Sequence, residues 1–210
     1  MLGIYGGTFD PVHFGHLRPV LDVQQALKLE QVRFVPVGQP AHRQAPGANS
    51  QHRIKMLQLA TETEDRFVVD DREITRHGDS YMVDTLLSFK QDFKQRSLCL
   101  IIGYDAFLGL TEWHQWERLI TLANLVVTYR PGWNWKQHED NVELNKLVLQ
   151  HQCTLEQFKA SSQGNLMFVP VTGLSISSTQ IRQLIQRDES VSYLLPERVA
   201  NYMQQHQLYR

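Results

Sequence analysis

Residues 1–16 read MLGIYGGTFDPVHFGH, and the rest of the chain is organised around this stretch. An apolar run, Leu2 to Tyr5, breaks at Gly6-Gly7 into a short polar turn. Two histidines, His13 and His16, then flank Gly15 ahead of a segment whose apolar residues (Leu17, Val20, Leu21, Ala26, Leu27) have helical spacing. A strand that ends in glycines and feeds a helix N-terminus makes an anion site, because unpaired N–H groups and the helix dipole point at one spot. Imidazoles three residues apart share one face of the first helical turn and aim at the same place. A structural histidine pair and a two-histidine metal site are the competing readings of such a spacing. The stretch matches neither the dinucleotide pattern GxGxxG nor the Walker pattern GxxxxGK[ST].

Outward from this start, strand-like and helix-like segments alternate. Strands are expected at Leu2–Tyr5, Val32–Val35, Phe67–Val69, Leu98–Ile102, Leu125–Thr128 and Leu166–Val169. Between them, Ser50 is placed to cap a helix carrying Ile54, Leu57 and Ala60, and Asp79 or Ser80 to cap one carrying Val83, Leu86, Leu87 and Phe89. Trp113, Trp116, Leu119 and Ile120 predict a short helix; two more follow at Thr179–Gln186 and Pro196–Gln205. Continuous apolar strands alternating with helices predict an α/β fold, a Rossmann-like open parallel sheet with helices on both faces and a small C-terminal helical part. The 210 residues suit one domain, with residues 133–164, polar and glutamine-rich, as an exposed insertion containing a helix near Glu143–Gln150, and residues 177–210 as C-terminal helices. In such a sheet the crevice lies beyond the strand C-termini, where Gly6-Gly7, Pro36, Gly103 and Arg130 converge.

Composition narrows the function classes. Lys and Arg number 21 against 22 Asp and Glu, a net charge of −1, which leaves no electrostatic footprint for nucleic acid. No apolar run approaches the ~20 residues that span a bilayer, and no secretory signal pattern opens the chain, so the expected location is the cytoplasm. Cys99, within an apolar run, and Cys153 lie far apart, with no spacing suited to structural zinc; no protein-held metal is expected.

A second stretch, Gly173-Leu174-Ser175-Ile176-Ser177-Ser178-Thr179-Gln180-Ile181-Arg182, starts a helix with three hydroxyls and sets Arg182 one turn in. Hydroxyls, helix N–H groups and a guanidinium suit a polyphosphate tail. Plain helix capping, with Arg182 solvated, is the alternative.

A chain that opens GGTFDPVHFGH and carries ISSTQIR near its end resembles the HxGH-type nucleotidyltransferase superfamily, and within it the bacterial nicotinate-nucleotide adenylyltransferases. Supporting stretches occur in the family's order: Pro36–Arg43, Arg53 with Met56-Leu57, Ser80-Tyr81 with Thr85-Leu86, Gly103-Tyr104-Asp105, Trp113, Val126–Gly132 and Leu194-Leu195-Pro196. The resemblance implies a reaction that joins ATP, carrying Mg²⁺, to nicotinate mononucleotide, giving deamido-NAD and pyrophosphate. It also implies roles. His13, His16 and Arg182 are the catalytic candidates. Gly6, Gly7, Thr8, Phe9, Gly103, Asp105, Ser177 and Ser178 join them around ATP. His42, Arg43, Tyr81, Met82, Thr85, Asp105, Trp113 and Arg130 are the candidates around the mononucleotide. Asp105 reads equally as a helix cap, His42 and Arg43 as a solvated pair, and a core role fits Trp116 better than Trp113.

Three residues depart from the family pattern: Met82 where a threonine is common, Ala41 in place of a proline, and Gly38 where some relatives have asparagine. A thioether donates no hydrogen bond, so selectivity for the nicotinate carboxylate has to come from backbone N–H groups or elsewhere. A superfamily enzyme with another acceptor, or a nucleotide-binding regulator without catalysis, are the rival readings. Retention of His13, His16, Ser178 and Arg182 speaks against the regulator.

Overall fold

The computed structural model describes residues 1–40, 46–130, 132 and 141–210. In chain order the elements are β1 (Leu2–Gly7), α1 (Phe14–Leu27), β2 (Gln31–Pro36), β3 (Gln39–Pro40), α2 (Ser50–Thr61), β4 (Phe67–Val69), α3 (Arg72–Thr75), β5 (Asp79–Ser80) and α4 (Met82–Asp92). Then follow β6 (Leu98–Gly103), α5 (Tyr104–Leu108), α6 (Leu119–Leu122), β7 (Asn124–Tyr129), α7 (Val142–His151), α8 (Leu155–Ala160), β8 (Leu166–Pro170), α9 (Ser178–Gln186) and α10 (Glu197–Gln205). Six strands form a parallel sheet in the order β4-β2-β1-β6-β7-β8, as the sequence predicts.

Side-chain alternation sorts the strands onto two cores. Leu98, Leu100 and Ile102 of β6 face one layer with Leu2, Ile4, Leu125 and Val127. Cys99 and Ile101 face the other with Val32, Phe34 and Val126. Because both faces are covered, β6 and β7 read as unbroken apolar runs. The chain winds outward in one direction through β2 and β4 and in the other through β6, β7 and β8, so the order reverses between β1 and β6. There the pairing runs only from Leu2↔Leu98 to Ile4↔Leu100, whereas β1–β2 pairing continues to Gly7↔Pro36. Beyond Ile4 the two strands part and a crevice opens at their C-terminal ends.

Several expectations change. Asn49, not Ser50, caps α2, its side chain accepting from the His52 N–H at 3.0 Å. Asp79 and Ser80 do not cap α4: they form β5, paired in parallel with β3 in a separate two-stranded sheet, and Tyr81 precedes the helix without side-chain capping. Trp116 lies in a short 3-10 turn, Trp116–Arg118, rather than on a helix with Leu119 and Ile120. The stretch 133–164 is not an exposed insertion over its described part: Leu144, Leu147 and Val148 of α7 and Phe158 of α8 are buried in the two cores. Its polarity misleads because α7 shows solvent an outer face that includes Leu149 and Val142 while only one stripe packs. The C-terminal helices likewise join the main core, through Ile181, Val199 and Met203. Among the described residues no helix is long and apolar enough to cross a membrane.

Replacing the fully buried Phe158 by alanine is expected to cost about 3–5 kcal/mol, and replacing the exposed Leu149 less than about 0.5 kcal/mol. Equal, small losses in urea denaturation would contradict the packing of 141–164.

Candidate active site

The polar turn between β1 and α1 carries backbone groups that neither element satisfies, and other segments supply donors to its carbonyls. Arg53, 2% exposed, donates from Nη1 to the Thr8 carbonyl at 3.0 Å and from Nη2 to the Val37 carbonyl at 2.8 Å. Arg182 of α9 donates from Nη1 to the Asp10 carbonyl at 2.7 Å, and the Ser178 hydroxyl donates to the Pro11 carbonyl at 2.9 Å. The Asp10–Pro11 peptide is cis. Asp10 is buried, and its carboxylate accepts from the Gly47 and Ala48 N–H groups at 2.8 and 3.0 Å and from the Tyr209 hydroxyl at 2.7 Å.

This turn delivers His13 to the start of α1. The His13 and His16 rings stack with centroids 3.8 Å apart, and Phe9 meets His16 edge-on at 5.2 Å. The His13 backbone N–H donates to His16 Nδ1 at 3.3 Å. An accepting Nδ1 leaves the proton of neutral His16 on Nε2, the nitrogen farther from the backbone. Burial pushes His13 down to about 4; burial, followed by the neighbouring His13, pushes His16 down to about 3. Both shifts favour the uncharged rings at neutral pH in the ligand-free protein. His13 Nδ1 is buried with no hydrogen-bond partner among the described residues. A Cβ on Gly15 would lie 2.9 Å from the His13 ring and 3.0 Å from the Ile176 carbonyl, so only glycine lets α1 and the segment before α9 approach this closely.

The second motif thus reaches the first, as the sequence predicts. Ser177 caps α9 by accepting from the Gln180 N–H at 3.1 Å, which leaves its hydroxyl proton available. The Ser178 hydroxyl proton is instead committed to Pro11. Arg130 lies with this group: its stem packs on Gly173 and its Nη1 donates to Ser175 Oγ at 3.4 Å.

On the other side of the crevice, the side chain of Met82 crosses the end of β1, its methyl 2.6 Å from where a Gly6 Cβ would stand. The first N–H groups of α4 follow it. Tyr81 meets His114 in a tilted contact with centroids 4.3 Å apart, and Trp113, the residue before His114, is half-buried. Gly103, with open space around its Cβ position, caps α5, so Asp105 is not the cap, and Asp105 is exposed.

Two candidates turn their side chains into the protein. Thr85 is fully buried and donates to Glu73 Oε1 at 2.6 Å, holding α4 to α3. The Phe9 side chain is 1% exposed among Tyr5, Phe34 and His16, so only its backbone can face a ligand. His42 and Arg43, with Ala41, lie outside the described residues. Sequence reasoning missed Asp10, His114 and Tyr209, whose partners are distant in the chain; Arg53 stood out only through the family resemblance.

Comparison with known proteins follows this geometry. A cytidylyltransferase-like family model matches residues 4–184. A "Probable nicotinate-nucleotide adenylyltransferase" of Methylococcus capsulatus is 45% identical over 211 residues, spanning all of this chain and 99% of that protein. One of the same name from Hydrogenovibrio crunogenus is 40% identical, spanning all of this chain and 98% of the relative. This chain belongs to the nicotinate-nucleotide adenylyltransferase family. It is accordingly a nucleotidyltransferase. The fold is also that of the Plasmodium falciparum nicotinic acid mononucleotide adenylyltransferase complexed with NaAD, with a TM-score of 0.73 at 16% identity, over 99% of this chain and 96% of that one.

The neutral histidines set a pH dependence. Unfolded, both imidazoles take up protons near 6.5; folded, they resist to about 4 and about 3. Between those values the unfolded chain binds more protons, so stability falls as pH falls. From pH 7 to 5 the loss is expected to be on the order of 1–2 kcal/mol per histidine. A His13→Gln, His16→Gln double variant should lose that much less over the same interval; an unchanged pH slope in urea titrations would refute the neutral pair.

Proposed function

We propose that this protein transfers the AMP moiety of ATP to nicotinate mononucleotide, giving deamido-NAD (nicotinate adenine dinucleotide) and pyrophosphate, in NAD biosynthesis in the cytoplasm, with the whole chain acting as one domain. The observation that carries this reading is the closely packed His13–His16 pair at the N-terminus of α1, against the start of α9 and at the point where the pairing of β1 with β6 ends. Full-length similarity to nicotinate-nucleotide adenylyltransferases supports it. So do structures of the same fold in complex with NaAD and with APC.

In the proposed step an oxygen of the mononucleotide phosphate forms a bond to the α-phosphorus of ATP. The bond from that phosphorus to the bridging oxygen of the β-phosphate breaks, and pyrophosphate leaves with the electron pair. The attacking phosphate is already ionised at pH 7, so no side chain has to remove a proton, and catalysis rests on alignment and charge stabilisation. His16 Nε2–H is assigned to the α-phosphate oxygens, where charge is redistributed in the transition state, with His13 beside it. The Gly6-Gly7 turn, Thr8 and the Phe9 backbone bring N–H groups close to the phosphates. Ser177 donates its hydroxyl to the β- and γ-phosphates together with the α9 N-terminus. Arg182 adds positive charge there while holding the turn through Asp10. The donors around this site are N–H and O–H groups that fit phosphate oxygens, so Mg²⁺ is assigned to the triphosphate and enters as part of the substrate.

For the acceptor, Asp105 and Gly103 are assigned to ribose, Trp113 and Tyr81 to the pyridine ring, and the first N–H groups of α4, beginning at Met82, to the nicotinate carboxylate. His42, Arg43 and Arg130 remain candidates for phosphate. Met82 closes the space over Gly6 but donates nothing, so preference for the acid rests on the backbone N–H groups.

Pyrophosphate release from MgATP is expected with nicotinate mononucleotide and at least tenfold lower kcat/KM with the amide form; equal turnover would refute the acceptor assignment. His16→Ala is expected to lower kcat by about 100-fold or more while the KM for ATP changes less than about threefold. A kcat within threefold of the unaltered protein would refute its role.

A further inference from the structure

We propose that Tyr209, on the segment that follows α10, is a positioning residue for the histidine pair and acts through Asp10. The Tyr209 hydroxyl donates to Asp10 Oδ1 at 2.7 Å, and a Cβ placed on Gly47 would lie 3.4 Å from its ring. The hydroxyl is one of three donors to a carboxylate that is 5% exposed; the other two are the Gly47 and Ala48 N–H groups. Arg182 Nη1 stands 3.7 Å from the other carboxylate oxygen. A buried carboxylate that loses a donor keeps its desolvation cost without the compensating bond, and it shifts or admits water.

Asp10 is three residues before His13, with only cis-linked Pro11 and fully buried Val12 between them. A shift of the Asp10 carboxylate therefore passes directly into the residue that starts α1, whose N–H orients His16. Misplacement by about 1 Å is enough to cost about 100-fold in rate where catalysis depends on alignment. The segment is shaped for this contact: Gln207 and Tyr209 take left-handed backbone conformations, φ 52° and 67°, which non-glycine residues adopt only when other contacts hold them there. The Leu208 N–H, hydrogen-bonded to the Met203 carbonyl at 3.0 Å, folds the segment back from the end of α10.

The Asp10 carboxylate, with this hydroxyl as one of its donors, ties three distant parts of the chain together: the turn before α1, Gly47-Ala48 and the residues after α10. Tyr202 supplies an internal control. Its hydroxyl hydrogen-bonds His52 Nδ1 at 2.8 Å, joining α10 to α2 without touching the turn.

The inference rests on the adenylyl-transfer reading, and the test separates the two. Tyr209→Phe should lower kcat about 5- to 20-fold, with both KM values within about twofold. Tyr202→Phe, losing one hydroxyl bond of similar length, should keep kcat within about twofold. In ¹⁵N-resolved histidine spectra of the unliganded protein, Tyr209→Phe should shift the His13 and His16 ring resonances and Tyr202→Phe should leave them in place. An unchanged kcat for Tyr209→Phe, an equal loss for Tyr202→Phe, or unmoved ring resonances would each overturn the positioning role. Failure of the unaltered protein to release pyrophosphate would instead overturn the adenylyl-transfer reading, and the histidine spectra would still decide whether Tyr209 is coupled to the pair.

Discussion

Buried carbonyls in the turn between β1 and α1 have to be paired, and this requirement organises the whole site. Residues 9–13 are buried between two regular elements and Thr8 is half-buried, so water is excluded from most of the turn. The Thr8, Asp10 and Pro11 carbonyls receive side-chain donors from two helices distant in the chain: Arg53 from α2, Arg182 and Ser178 from α9. A buried backbone carbonyl without a partner costs about as much as a lost hydrogen bond, so the three donors and the turn stand or fall together. Remote helices are thereby drawn against the end of β1, and the two histidines are set in one arrangement. Arg53 is itself costly to bury, and burial pulls it down from its ordinary value, yet it keeps two carbonyl partners and Asp10 nearby.

The histidine pair follows from that enclosure. Stacked imidazoles 3.8 Å apart and largely out of water would repel each other if both were charged, so they remain neutral. Neutrality has a consequence for phosphate chemistry. A neutral N–H donor stabilises charge that moves onto an oxygen without holding the ground-state triphosphate as tightly as a cation would, which favours the transition state over the bound substrate.

Much of the fold was legible from residues 2–5, 98–102 and 125–128, because a strand buried on both faces needs apolar side chains throughout. The stretch 141–164 was not, since its buried residues are few and separated by polar ones, and periodicity in short helices is a weak signal. The site was legible in part. HFGH and ISSTQIR point to one site, and the structure brings the two motifs into contact through Ser178 and Arg182. A motif position does not say which way its side chain points: Thr85 turns to Glu73 and Phe9 into the core.

By itself the sequence determined that a glycine turn and two histidines would stand at the end of a parallel strand, and that a hydroxyl-rich helix start would accompany them. Those features depend on local periodicity and on residue chemistry within a few positions. Only the tertiary structure decided the protonation of the histidines, the diversion of Ser178 and Arg182 to the turn's carbonyls, and the hub of Asp10, Arg53 and Tyr209. Burial, ring stacking and hydrogen bonds across as many as 199 residues of chain are properties of packed neighbours, and no window of sequence contains them.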